Sequence, residues 1–333
     1  MNSVRWGLLS TANINQKIIP AIRSSQRGQL VAVASRDFSK AKSYANTWDI
    51  PHPFGSYLDM LNSGLIDAVY VSLPNHLHAE WSIQAMQAGV HVLCEKPFAI
   101  TLDEVDRMIA TSQQASRVLA EAFMYRHHPQ TKIVGDWIRN GKLGDILHMW
   151  GVFTFQIKDQ NDVRMNPKYG GGCLWDVGIY PLSFAQFIFG APPQSVYGVQ
   201  KIGNTGVDEA FAGQMQYPSG GLVQISSSFR SPYYNNVIII GTQGRLTLSR
   251  PFNMLHEDRH LIFYSPDGVP KEIPVPEKDL YLGEIEDMHS AILDGAPPYL
   301  TLQETRNHIR TILALYESAK AGQKVLLENS GSK

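Results

Sequence analysis

Over the first 122 positions, apolar residues follow two alternating patterns. Continuous runs at 4–10 (VRWGLLS), 30–34 (LVAVA), 66–73 (IDAVYVSL), 90–94 (VHVLC) and 117–121 (RVLAE) predict strands buried on both faces. Between them the apolar positions take helical spacing: Ile14, Ile18, Ile19 and Ile22 within 14–25, then 39–47, 77–88 ending at Gly89, and 101–115. Thr101 followed by Glu104 predicts a capping box. Strands that alternate with helices in this way predict a parallel, doubly wound sheet with right-handed crossovers.

The pattern then changes. A helix at 130–140 is followed by β-rich runs at 145–157, 194–202, 208–217, 221–229, 236–241, 244–249 and 260–264. Turn residues around 218–221, 242–244 and 266–268 separate successive runs, which predicts antiparallel pairing. A helix at 174–189 interrupts them, helices at 281–294 and 302–320 follow, and the tail at 327–333 reads as loose. The expected fold is α/β: an N-terminal Rossmann-type, doubly wound parallel sheet over 1–122, then an α+β domain with a large, mostly antiparallel sheet over 123–333.

Composition narrows the function classes. Of 333 residues, 44% are hydrophobic, enough for packed cores and too many for a disordered chain. Lys and Arg number 29 against 30 Asp and Glu, so no global positive field favours nucleic acid. No apolar run reaches the roughly 18 residues of a membrane span, and the opening MNSVRWGLLS reads as a strand rather than a signal peptide. Two cysteines make no disulfide framework, which is consistent with a reducing, cytoplasmic setting.

Four stretches carry candidate chemistry. Ser10, Thr11, Ala12, Asn13 and Ile14 stand where a strand meets a helix, the place of a phosphate-binding loop, with small residues in place of most glycines. An ordinary strand–helix turn would read the same way. Ser35-Arg36 at the end of the second strand suits a ribose 2′-phosphate, where an NAD site has an acidic residue; a solvated arginine is the bland alternative. Lys96, pinned by Pro97 at a strand's carboxyl end, stands where α/β sheets bind ligands, or is a surface lysine. Gly170, Gly171 and Gly172 allow close approach of backbone and ligand, and after them Asp176 and Tyr180 share a helix face, or are a cap and a half-buried ring. Pro181 should disturb that helix. His76, His78, His127 and His128 lack a third ligand at metal-binding spacing, so no metal is expected.

Together these residues resemble the Gfo/Idh/MocA oxidoreductases. The resemblance rests on the first loop, Ser35-Arg36, Leu73-Pro74-Asn75-x-x-His78, Glu95-Lys96-Pro97 and the motif from Gly170 to Tyr180. Within the family the chain is most similar to the NADP-linked D-xylose and dihydrodiol dehydrogenases, through Arg5-Trp6-Gly7, Tyr57, the stretch Glu121-Ala122-Phe123-Met124-Tyr125-Arg126 with His128-Pro129, and Trp175-Asp176-x-Gly178-x-Tyr180.

The resemblance implies an NADP site formed by Ser10, Thr11, Ala12, Asn13, Ile14, Ser35, Arg36, Leu73, Asn75, His78, Glu95 and Lys96, with Trp175 and Arg164 from the second domain. It implies a cis Lys96–Pro97 bond, an open-faced second sheet and homodimers formed through it. It also implies hydride transfer to or from a sugar, polyol or cyclic diol, in which Lys96 stabilises charge on the substrate oxygen, Tyr180 moves the proton and Asp176 holds Lys96 or a substrate hydroxyl. Reduction of an anhydro- or keto-sugar is an alternative on the same fold. A non-catalytic NADP sensor is an alternative of another class, although such a protein would lack the lysine or the acid/base residue.

Overall fold

The computed structural model describes residues 3–252 and 259–327. The loose tail expected at 327–333 therefore lies, from 328 onward, outside the described residues. Packing divides the chain into two units, Met1–His127 with Lys278–Arg306, and His128–Glu277 with Asn307–Lys333.

The first unit opens with β1 (Val4–Leu9), α1 (Asn15–Ser24), β2 (Gly28–Ala34), α2 (Phe38–Trp48), β3 (His52–Phe54) and α3 (Tyr57–Leu61). It continues with β4 (Ala68–Val71), α4 (His78–Gln87), β5 (His91–Glu95), α5 (Leu102–Ala115) and β6 (Leu119–Ala122). All six strands pair in parallel, in the order β3-β2-β1-β4-β5-β6. The chain reverses direction across the sheet between β1 and β4, the switch point where such folds bind ligands. Every residue of β4 is buried, as expected for a strand covered on both faces. The capping box of α5 is complete: Glu104 N–H donates to Thr101 Oγ1 at 3.2 Å, and Thr101 N–H donates to Glu104 Oε2 at 3.1 Å.

The packing units do not follow the chain in one cut at 122/123. Residues 123–127 and 278–306 pack in the first unit. The reason lies in α8 (Leu282–Leu293), whose Ile285 and Met288 enter the core formed by Trp6, Leu8, Ile18 and Ile22. Trp6 Nε1–H donates to His289 Nε2 at 2.9 Å, which gives a buried indole its required acceptor.

The second unit contains α6 (Pro129–Arg139), β7 (Ile146–Thr154), α7 (Ile179–Phe189), β8 (Ser195–Ile202), β9 (Asp208–Gln216), β10 (Leu222–Ser228), β11 (Tyr234–Gly241) and β12 (Gly244–Ser249). Beyond these come β13 (Leu261–Tyr264), β14 (Pro270–Glu272), most of α9 (Leu302–Ala321) and β15 (Val325–Leu326). Its nine strands run in the order β14-β13-β12-β11-β7-β10-β9-β8-β15. All neighbours are antiparallel except β7 and β10, which pair in parallel from Leu222 against His148 to Ser228 against Thr154. Side chains alternate across the sheet: Met149, Val223, Ile225, Val237 and Ile239 are buried, whereas Trp150, Tyr197, Val199 and Leu222 on the other face are exposed. Among the described residues no helix is long and apolar enough to cross a membrane.

Candidate active site

In the first unit the predicted residues gather along the carboxyl ends of β1, β2, β4 and β5. Ser10 follows β1 with φ 151°, backbone that favours glycine. A buried network holds it there. Ser10 Oγ lies 2.9 Å from Ser72 Oγ and accepts from Ala12 N–H at 3.1 Å, while Asn15 Nδ2 donates to Ser10 O at 2.8 Å. Ser72 Oγ in turn donates to Asn15 Oδ1 at 2.7 Å. No side chain caps the amino end of α1, which leaves that end open to an anionic group.

At the end of β2, Ser35 is buried and its Oγ accepts from Asp37 N–H at 3.2 Å. Arg36 is exposed, and its guanidinium hydrogen-bonds the Tyr57 hydroxyl. The nearby acid, Asp37, is committed elsewhere: its Oδ1 caps α2 by accepting from Ser39 N–H at 2.9 Å and Lys40 N–H at 3.3 Å.

Glu95 and Lys96 leave β5 half-buried, and the Lys96–Pro97 bond is cis. The backbone there is held from three sides. Lys96 N–H donates to Glu95 Oε2 at 3.1 Å, His78 Nδ1 lies 2.8 Å from Pro97 O, and Phe98 N–H donates to Glu121 Oε1 at 3.1 Å. The other oxygen of Glu95 accepts from the Tyr70 hydroxyl. His78 also reaches Leu73 O through Nε2 at 2.7 Å. Burial pushes the His78 pKa down to about 4, against the pull of the two carbonyls, so the ring is neutral at pH 7. Leu73 is buried and Asn75 half-buried at the start of the turn into α4.

In the second unit the expected helix over 174–189 forms in two parts. A five-residue π-turn, Leu174–Gly178, precedes α7. Pro181 has no N–H for the carbonyl four residues back, so a wider turn ahead of it accommodates the break. The π-turn carries Trp175 and Asp176, and Tyr180 begins α7. Asp208 of β9 fixes the turn: its Oδ2 accepts from Leu174 N–H at 2.8 Å and Cys173 Sγ–H at 3.1 Å, and its Oδ1 accepts from the Tyr316 hydroxyl at 2.7 Å. Tyr316 also packs against the Trp175 ring, with centroids 5.8 Å apart.

Two of the three glycines before the turn, Gly171 and Gly172, are required by the protein itself. A Cβ on Gly172 (φ 126°) would lie 2.0 Å from Asp208 Oδ1, and one on Gly171 would lie 2.4 Å from the Arg164 carbonyl. Arg164 forms a bidentate pair with Asp162, Nε at 2.9 Å and Nη2 at 2.7 Å, lies 3.6 Å from Asp176 and covers the Phe155 ring. That pairing raises the Arg164 pKa and lowers that of Asp162. Tyr180 is buried among aromatic rings, 5.5 Å from Phe153 and 5.6 Å from Phe252 between centroids.

Sequence reasoning missed Ser72, Asp208 and Glu284. Glu284 of α8 is fully buried, and neither carboxylate oxygen has a hydrogen-bond partner among the described residues. Burial and the nearby Glu95 push its pKa well above the usual carboxylate value. No local motif marks Ser72 or Asp208, because each acts on partners distant in sequence. Among the described residues no group of three or more His, Cys, Asp or Glu could hold a metal ion.

A parallel sheet with a strained loop after β1 and a lysine anchored beyond β5, followed by an open sheet domain, defines a nucleotide-dependent oxidoreductase. Residues 4–123 match the oxidoreductase family with an NAD-binding Rossmann fold, and residues 131–247 match the GFO/IDH/MocA C-terminal domain. The chain belongs to the Gfo/Idh/MocA oxidoreductase family and carries its NAD(P)-binding Rossmann domain. It is 35% identical over 325 residues to D-xylose 1-dehydrogenase (NADP(+)) 2 of Haloferax volcanii, covering 97% of this chain and 99% of that one. It is 30% identical over 245 residues to trans-1,2-dihydrobenzene-1,2-diol dehydrogenase of Xenopus tropicalis, covering 73% and 74%. Among solved structures, a 3-ketoreductase from Actinomadura kijaniata in complex with NADP and TDP-benzene superposes with a TM-score of 0.89 at 28% identity, covering 95% of this chain and 98% of that one.

Proposed function

We propose that the protein is an NADP-linked oxidoreductase that interconverts an alcohol and a carbonyl on a sugar, polyol or cyclic diol. The observation that carries this reading is the anchored Lys96 at the carboxyl edge of an NAD(P)-binding sheet. The relatives named for D-xylose and for a dihydrodiol support the substrate class, and NADP in the name of the xylose dehydrogenase and in the 3-ketoreductase complex supports the cofactor.

The residues of the first unit suit the dinucleotide. The uncapped end of α1 and the loop from Ser10 to Ile14 would hold the pyrophosphate. Ser35 and Arg36 would take a 2′-phosphate, and Asp37 beside them turns its Oδ1 to the cap of α2. Leu73, Asn75, Glu95 and Lys96 would line the nicotinamide end, with Trp175 and Arg164 contributed by the second unit. The nicotinamide supplies the hydride chemistry.

The protein's own part is the proton and the alignment. Lys96 stabilises negative charge on the substrate oxygen, Tyr180 takes or returns the hydroxyl proton, and Asp176 orients Lys96 or a neighbouring substrate hydroxyl. The same residues, working in reverse, would reduce a keto-sugar, a reading favoured by the likeness to the 3-ketoreductase. Steady-state rates with NADP⁺ on aldoses and cyclic diols, and with NADPH on keto-sugars, test the proposal. Cofactor binding with no turnover on any of them would instead indicate a sensor.

We also place a homodimer on the open face of the second sheet, where Tyr197, Gln214, Gln224 and Trp150 form one row across four strands. Light scattering checks it: Trp150→Glu should shift a dimer to monomer, and an unshifted mass counts against that face.

A further inference from the structure

His78 couples two loops that the sheet sends to the same edge. It is 1% exposed, and its two ring nitrogens face two carbonyl oxygens, Pro97 O at 2.8 Å and Leu73 O at 2.7 Å. Both partners are acceptors only, so neither contact resembles recognition of a cofactor phosphate or hydroxyl. The ring is fully committed to the chain's own backbone. Leu73 ends the stretch that follows β4, and Pro97 follows the lysine that follows β5. Across from the imidazole, Glu121 of β6 takes the Phe98 N–H at 3.1 Å. The three residues Lys96, Pro97 and Phe98 are thus clamped between a histidine and a glutamate, both nearly inaccessible to solvent.

We infer that His78 is a positioning residue rather than a cofactor contact: its neutral ring carries a single N–H, at Nδ1, which donates to the Pro97 carbonyl and so aims the Lys96 amine, while Nε2 only packs against the Leu73 loop. The inference rests on the proposed role of Lys96. It explains why a histidine serves better than a smaller polar residue, since its ring is long enough to donate its one N–H to the Pro97 carbonyl and still reach the Leu73 loop. It also gives the Leu73-Pro74-Asn75-x-x-His78 spacing a mechanical meaning. The three-residue turn at Asn75–Leu77 returns the chain so that the first residue of α4 points back at Leu73.

The test uses two substitutions that each keep one end of the ring. His78→Asn places an amide nitrogen near Nδ1 and retains the Pro97 contact. His78→Gln places it near Nε2 and retains the Leu73 contact. With NADPH affinity read by fluorescence titration and turnover on the wild-type enzyme's best substrate, H78Q should lose ~10- to 100-fold in kcat, and H78N should recover most of that loss. Cofactor Kd should stay within about 2-fold in both, because the contacts removed lie in the chain's own backbone.

Equal kcat losses in the two variants, or a cofactor Kd that rises in step with the kcat loss, would overturn the inference. Glu121→Met, which removes the acceptor on the opposite side of the same backbone, gives a second route should a His78 variant not fold. A kcat loss at unchanged Kd supports the clamp, and unchanged kcat overturns it. If Lys96→Met itself keeps turnover, the underlying catalytic assignment has failed and the clamp has nothing to aim, an outcome separable from equal behaviour of the two His78 variants.

Discussion

Gly172 offers the sharpest stability prediction, because two independent costs meet at one atom. Gly172→Ala places a methyl on backbone at φ 126°, a conformation that costs a non-glycine residue about 1–3 kcal/mol. The same methyl would stand 2.0 Å from Asp208 Oδ1, so the carboxylate must leave its place. Leaving breaks hydrogen bonds from the Leu174 N–H and the Tyr316 hydroxyl, each to a buried charged acceptor and each worth about 1.5–3 kcal/mol. The combined loss is about 4–9 kcal/mol, enough to lower Tm by at least ~8 °C in a unit of this size.

Gly220 is the control. Its φ is 89°, and an added Cβ would meet nothing within 4 Å, so Gly220→Ala carries the conformational cost alone, about 1–2 kcal/mol. Urea unfolding of the two variants beside the wild type reads the difference. A Gly172→Ala loss no larger than that of Gly220→Ala would refute the claim that Asp208 and the glycine backbone share that space.

Arg36→Ala should lower the NADP-to-NAD ratio of kcat/KM by ~10-fold or more, since a charge-assisted phosphate contact is lost and nothing else at β2 replaces it; an unchanged ratio excludes Arg36 from cofactor choice. Acid should weaken the first unit before the carboxylates titrate. His78 and His91 have pKa values lowered by burial from 6.5 to about 4 in the folded protein, and His91 Nδ1 accepts from Val118 N–H at 2.8 Å, so a proton there would break a bond. Because the folded pKa lies below the unfolded one, their stabilisation is complete above pH 6.5 and is lost as pH falls toward 4, with His78 alone accounting for about 3 kcal/mol. A urea midpoint that stays flat between pH 6.5 and 4.5 would contradict this, and His91→Gln should flatten part of the slope.

Much of this architecture was legible in the sequence because it is local. The strand–helix alternation, the Thr101–Glu104 capping box and the placing of Lys96 beyond β5 follow from periodicity and spacing that short windows contain. β3 and α3 escaped because three and five residues are too few to display a period. The return of α8 to the first unit was illegible for another reason: its helical pattern was plain, but its partner Trp6 lies 283 positions from His289. The parallel pairing of β7 with β10, strands far apart in sequence, was illegible in the same way, because its register is set by long-range packing.

At the site, residue types were readable and their supports were not. The glycines before Trp175 suggested room for a ligand, whereas Gly171 and Gly172 make room for a backbone carbonyl and for Asp208. Ser10 occupies glycine-like backbone because Ser72 and Asn15 hold it, a cooperation that no single position reveals. The π-turn left only one local trace, Pro181.

The central claim is that Lys96 and Tyr180 carry the proton chemistry of an NADP-linked reaction. It is tested most directly by single-turnover hydride transfer in Lys96→Met and Tyr180→Phe, followed at the NADPH absorbance with cofactor affinity measured on the same preparations. Each variant should bind NADPH nearly as the wild type does and transfer hydride ~10²- to 10⁴-fold more slowly. Hydride transfer at the wild-type rate in either one would contradict the account.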